Sequence, residues 1–133
     1  MKKSLWSLLL VMLFSLNILA APKIVKHELG QAQINGIPKR VIVFDYGLLD
    51  IVDAVGGNVV GVVKDNLPQS LKKFSDKKYT NIGTLFEPNY ETLIKLKPDL
   101  ILISGRQEKV YKELNKIAPT IYLTVDGPTY MND

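Results

Sequence analysis

Four short stretches of this chain are almost wholly apolar and rich in β-branched residues: Arg40 to Asp45, Val59 to Val63, Leu100 to Ser104 and Thr120 to Thr124. Runs of this length and composition predict strands buried on both faces. The segments between them carry a helical period instead. Gly47 to Val55 places Leu48, Leu49, Ile51, Val52 and Val55 on one side, and Gly56-Gly57 closes that helix. Asn89 caps a helix from Tyr90 to about Lys97, where Pro98 ends it. Gln107 to Ala118 predicts another, with Val110, Tyr111, Leu114 and Ile117 on its inner face. Leu67 to Tyr79 is polar and lysine-rich, one short helix and a loop. Ahead of all these, Ile24 to Leu29 and Gln31 to Asn35 flank Gly30 as the two strands of a hairpin. Strands alternating with helices predict an α/β fold: a mostly parallel, Rossmann-like sheet flanked by helices, with right-handed crossovers.

The first residues follow another pattern. Lys2-Lys3 precede an apolar stretch, Leu5 to Leu16, and Asn17-Ile-Leu-Ala20-Ala21 offers small residues for cleavage. Residues 1–20 are expected to be a secretory signal peptide cut after Ala20, leaving 21–133 as one domain. The competing reading, an uncleaved membrane anchor, requires about 20 apolar residues, more than this run supplies. The sequence contains no cysteine, so it offers neither a thiol for lipid attachment nor a disulfide. Export without either points to a periplasm.

The formal charge of +4 falls to +2 once Lys2 and Lys3 are set aside, with 15 basic residues against 13 acidic and no clustering. That balance excludes a phosphate-backbone binder, and nucleic acid is not an expected partner.

In open parallel sheets ligands bind beyond the carboxyl ends of the strands. The residues there are Asp45-Tyr46, Lys64 and Ser104-Gly105-Arg106. An aromatic ring and two cations suit an anionic, aromatic or oxygen-rich ligand, whereas the bland alternative is a rim of solvated charges. Catalytic motifs do not occur: no thiol, no G-x-S-x-G elbow, no phosphate-binding glycine loop. The single histidine, His27, has no partner at metal-ligand spacing and is expected to face solvent. Asp50 and Asp53 read as a polar helix face. No catalytic residue and no metal site are expected.

The run from Arg40 through Asp45-Tyr46 to Gly56 resembles the opening of the class III, helical-backbone periplasmic binding proteins for siderophores, haem and cobalamin. So does Asn81-Ile-Gly-Thr84, followed by Glu87-Pro-Asn-Tyr-Glu-Thr-Leu-Ile-Lys-Leu-Lys-Pro-Asp-Leu-Ile-Leu-Ile103. Ser104 through Thr120 is similar to the branch that carries catecholate siderophores. The resemblance implies the N-terminal lobe of a two-lobed protein in which a ferric siderophore sits between the lobes and is delivered to an inner-membrane ABC permease. It implies that Arg106 faces the anionic complex and that Glu91 pairs with arginines of the permease; Lys64 and Tyr46, read from the strand ends, are expected beside Arg106. No covalent cofactor is implied; the ferric siderophore is cargo. Relatives of this kind are about twice as long, so the second lobe is expected to be missing, by truncation or separate encoding. Other readings remain open here: a haem- or cobalamin-binding relative, a small exported α/β enzyme acting on an anionic substrate with Asp45 as base, or a lobe that docks on a permease without ligand.

Overall fold

The structure, a computed structural model, describes residues 21–124. The expected signal segment with its cleavage site and the stretch after Thr124 lie outside the described residues. The order of elements begins with a hairpin, β1 (Lys23–His27) and β2 (Gly30–Ile34). It continues with β3 (Val41–Val43), α1 (Tyr46–Ala54), β4 (Val59–Val62), a 3-10 segment (Gln69–Ser75) and β5 (Thr80–Asn81). Then follow α2 (Tyr90–Leu96), β6 (Leu100–Ile103), a second 3-10 segment (Gly105–Val110), α3 (Tyr111–Ile117) and β7 (Thr120–Tyr122).

The main sheet is parallel throughout, in the order β5-β4-β3-β6-β7. The chain starts in the middle with β3, winds outward through β4 and β5, then returns to add β6 and β7 on the other side. Right-handed crossovers in the two directions place their connections on opposite faces. One apolar cluster accordingly joins Val41, Val43 and Val62 to Leu49, Leu71 and Phe74 from α1 and the first 3-10 segment. The other joins Ile42, Phe44, Ile101 and Ile103 to Leu93 and Leu114 from α2 and α3. Alternation along β3 divides its side chains between the two clusters, which is why the whole run is apolar. Burying both faces is the main stabilising term, at about 25 cal/mol per Å² of apolar surface. The hairpin adds Ala32, Val25 and Ile34 to the first cluster.

Three expectations need correction. Thr80–Asn81 forms a fifth core strand beside β4; it is polar and two residues long, so no run announces it. The helix expected from Gln107 to Ala118 is split, because the tighter 3-10 turns of Gly105–Val110 precede α3. His27 does not face solvent. Its ring meets Tyr111 edge-on, with centroids 5.4 Å apart, and both ring nitrogens are buried without a hydrogen-bond partner among the described residues.

Candidate functional site

In a sheet wound in both directions, the connections leaving two neighbouring central strands part toward opposite faces and open a crevice at their carboxyl ends. Here those strands are β3 and β6. Asp45 follows β3 and caps α1, its Oδ1 accepting from the Leu48 N–H at 3.1 Å. Ser104 follows β6 and opens the turn that carries Arg106. The two segments meet at the Asp45 carboxylate: Oδ2 accepts the Ser104 hydroxyl at 3.0 Å and lies 3.5 Å from a guanidinium nitrogen of Arg106. The carboxylate is sheltered, at 19% side-chain exposure, while Arg106 is 53% exposed. One anionic group thus holds the root of a cation whose remaining donors stay available to solvent.

Beside this pair lies an open cleft of about 590 Å³. Asp45, Asp50, Ser104, Gly105 and Thr124 form its polar side, and Leu48, Ile51 and Leu123 its apolar side, with Arg106 next to this lining rather than part of it. Its size is in the range of small-molecule sites. Ile51 and Leu123 are exposed there, so the cleft lies open to solvent among the described residues.

The other expected site residues are placed differently. The Tyr46 ring straddles the sheet end, packing against both clusters, and its hydroxyl donates to the Asp65 carbonyl. Burial, then the charge of Asp65, raises the pKa of that hydroxyl, and the Arg106 charge offsets part of the rise. Lys64 sits at the end of β4, and its ammonium donates to the carbonyls of Ser75 at 3.2 Å and Asp76 at 2.9 Å. Both cations therefore stand on the carboxyl edge, but only Arg106 stands at the crevice between β3 and β6. Glu91 is elsewhere, in the first turn of α2, exposed and paired with Lys95 at 2.6 Å.

Two contributions escaped the sequence reading. Asp45 serves at once as helix cap, hydroxyl acceptor and tether for Arg106. Gln107 turns its amide inward to complete a capping box with Ser104; the Ser-x-x-Gln spacing carries that signal in the sequence. No group of three or more metal-ligating side chains occurs among the described residues.

Residues 41–130 match the family described as periplasmic binding protein. The petrobactin-binding protein YclQ of Bacillus subtilis is 49% identical over 80% of this chain and 35% of its own length. Its crystal structure superposes with a TM-score of 0.78, covering 83% of this chain and 40% of that one, at 47% identity. The Fe(3+)-citrate-binding protein YfmC of the same bacterium is 41% identical over 81% of this chain and 35% of its own. The periplasmic catecholate-siderophore binding protein VctP of Vibrio cholerae superposes with a TM-score of 0.75 at 40% identity, covering 81% of this chain and 39% of that one. The chain thus spans about 35% of the length of the curated relatives it matches. On this match, and on the parallel five-stranded sheet that accompanies it, the chain belongs to the periplasmic binding protein family.

Proposed function

We propose that this lobe forms one wall of a ferric-siderophore site, and that it works as part of the substrate-binding component of an ABC importer rather than as an enzyme. The observation that carries the reading is Arg106: a half-exposed guanidinium, rooted by Asp45, at the switch point of the sheet beside an open cleft. A ferric tris-catecholate is a trianion, and a guanidinium offers it charge together with several directed N–H donors. Lys64 and Tyr46 contribute at the margin, since their polar tips already bond to backbone carbonyls. Glu91, exposed on α2, is the residue that meets arginines of the inner-membrane permease. The protein works in the periplasm after removal of residues 1–20, and the given sequence offers no cysteine thiol for lipid attachment.

A second reading is favoured by YfmC, named for Fe(3+)-citrate: citrate complexes are also anionic and oxygen-rich. Titrating the chain with the ferric complexes of 2,3-dihydroxybenzoate and of citrate, followed by tyrosine quenching, separates the two. In the chain completed with a second lobe from a related binder, Arg106→Ala is expected to weaken the preferred complex by about 1–3 kcal/mol, the range for hydrogen bonds to charged groups. An unchanged affinity reduces Arg106 to a solvated rim charge and removes the basis for the proposal.

A further inference from the structure

Gln107 and Thr120 are the fully buried polar residues among the described ones. Thr120 satisfies its hydroxyl locally, donating to the Ala118 carbonyl at 3.0 Å. Gln107, 1% exposed, instead joins two distant parts of the chain. Its Oε1 accepts from the Ser104 N–H at 3.0 Å, and its Nε2 donates to the Leu85 carbonyl at 2.5 Å. A leucine of similar size would suit the apolar surroundings but leave both backbone groups without these partners, which is costly in a buried place. The amide is therefore a cross-link between the Ser104-Gly105-Arg106 turn and the turn that leaves β5.

That second turn is itself tightly built. Gly83 has φ +114°, and a side chain there would collide with the Glu87 carbonyl. The Thr84 Oγ1 accepts from the N–H groups of Phe86 at 3.2 Å and Glu87 at 3.0 Å, and the Thr84 N–H donates to the Glu87 carbonyl at 3.0 Å. At its tip stands Phe86, 66% exposed, whereas Phe44 and Phe74 are buried at 0% and 1%. A rigid turn thus holds an aromatic ring in water, next in sequence to the residue bonded to Gln107, itself the neighbour of Arg106.

We propose that Phe86 is a specificity-determining contact for ligands bearing aromatic rings, and that Gln107 is the positioning residue that presents Phe86 and Arg106 as one unit. The inference rests on the reading of this edge as the ligand wall. Arg106 supplies charge to any anionic ferric complex, while Phe86 adds stacking that only an aryl complex can use.

The test uses the full 133-residue chain and two probes, ferric tris-(2,3-dihydroxybenzoate) and ferric citrate, the second without aryl rings. Phe86→Ala is expected to weaken the aryl complex about tenfold, as for a lost aromatic contact, and the citrate complex less than about twofold. Gln107→Glu keeps the acceptor for Ser104 but replaces the donor to Leu85 by an oxygen. It is expected to weaken the aryl complex by a similar factor, and the double variant to be no weaker than the poorer single, since the two act as a unit. Equal losses for both probes, or fully additive losses, overturn the proposal. Phe86→Ala changes an exposed position, so it decides the specificity claim even if Gln107→Glu folds poorly. If the wild-type chain binds neither probe, the functional reading fails for this chain. Amide exchange then judges the cross-link: protection at Phe86 and Glu87 should fall at least about tenfold in Gln107→Glu, and unchanged protection overturns it.

Discussion

Replacing Asp45 by asparagine separates two effects that the wild-type carboxylate combines. Asparagine caps a helix about as well as aspartate, so the bond from the Leu48 N–H survives. The neighbouring hydroxyl of Ser104 can rotate to accept from the new amide. What disappears is the charge 3.5 Å from Arg106. With one partner half exposed, that pair contributes about 0.2–1 kcal/mol, so the variant should lose less than about 1 kcal/mol of stability, a shift of at most about 4–8 °C for a domain of this size. Binding should move the other way. Ferric tris-(2,3-dihydroxybenzoate) carries six negative charges, and at an assumed separation of about 8 Å a carboxylate repels it by about 3 kcal/mol in water, of which screening over a Debye length of about 8 Å leaves roughly a third. Affinity for this complex should therefore rise about sixfold at physiological salt, and further at low salt. Titration at two ionic strengths, with thermal unfolding alongside, measures both quantities. Weaker binding by Asp45→Asn would refute the reasoning, because it would mean that tethering Arg106 matters more than the repulsion it brings.

Two further outcomes concern the surroundings of the site. His27→Phe should raise stability by about 1 kcal/mol, since it removes two buried, unpartnered nitrogens and keeps an edge-on ring against Tyr111; a lower unfolding temperature would show that those nitrogens are in fact bonded. Tyr46, whose folded-state pKa is raised chiefly by burial, contributes stability that is full below the ordinary tyrosine value of about 10 and is lost as pH climbs above it. Tyr46→Phe should flatten that alkaline decline in urea titrations between about pH 8 and 11 without abolishing it, because Tyr90 is raised as well, by burial and then by Glu113; an unaltered slope would exclude Tyr46 as a source.

The elements that burial dictates were legible before any coordinates. β3, β4, β6 and β7 are announced by apolar runs because both of their faces are covered, and the cap Asn89 stands where the helical period begins. β5 was not legible. Thr80 and Asn81 pair with Gly61 and Val62 by backbone alone, which leaves no mark on residue type. The split before α3 escaped for a related reason. The apolar period runs unbroken through Val110, Tyr111 and Leu114, and periodicity alone does not tell i→i+3 turns from i→i+4 turns over so short a stretch. His27 was misplaced because a hairpin strand reveals its own alternation but not the later element, α3, whose Tyr111 closes over it.

At the site, the rule that ligands gather beyond strand ends picked out Asp45, Tyr46, Lys64, Ser104 and Arg106 together, with nothing to rank them. Strand order supplies the ranking, and strand order is not written in any local pattern. Because β6 lies against β3 rather than beside β5, the connections after β3 and β6 diverge and the crevice opens between Asp45 and Ser104. The connection after β4 instead runs on the same face as α1, and Lys64 spends its ammonium on the end of the Gln69–Ser75 segment. Two cations that are equivalent in sequence thus acquire different roles. Lys64 closes a turn, whereas Arg106 keeps donors free because its backbone is fixed by other residues: Asp45 through the Ser104 hydroxyl, and Gln107 through the Ser104 N–H. On the proposed reading, those fixed neighbours, more than the charge itself, are what make Arg106 rather than Lys64 the binding cation.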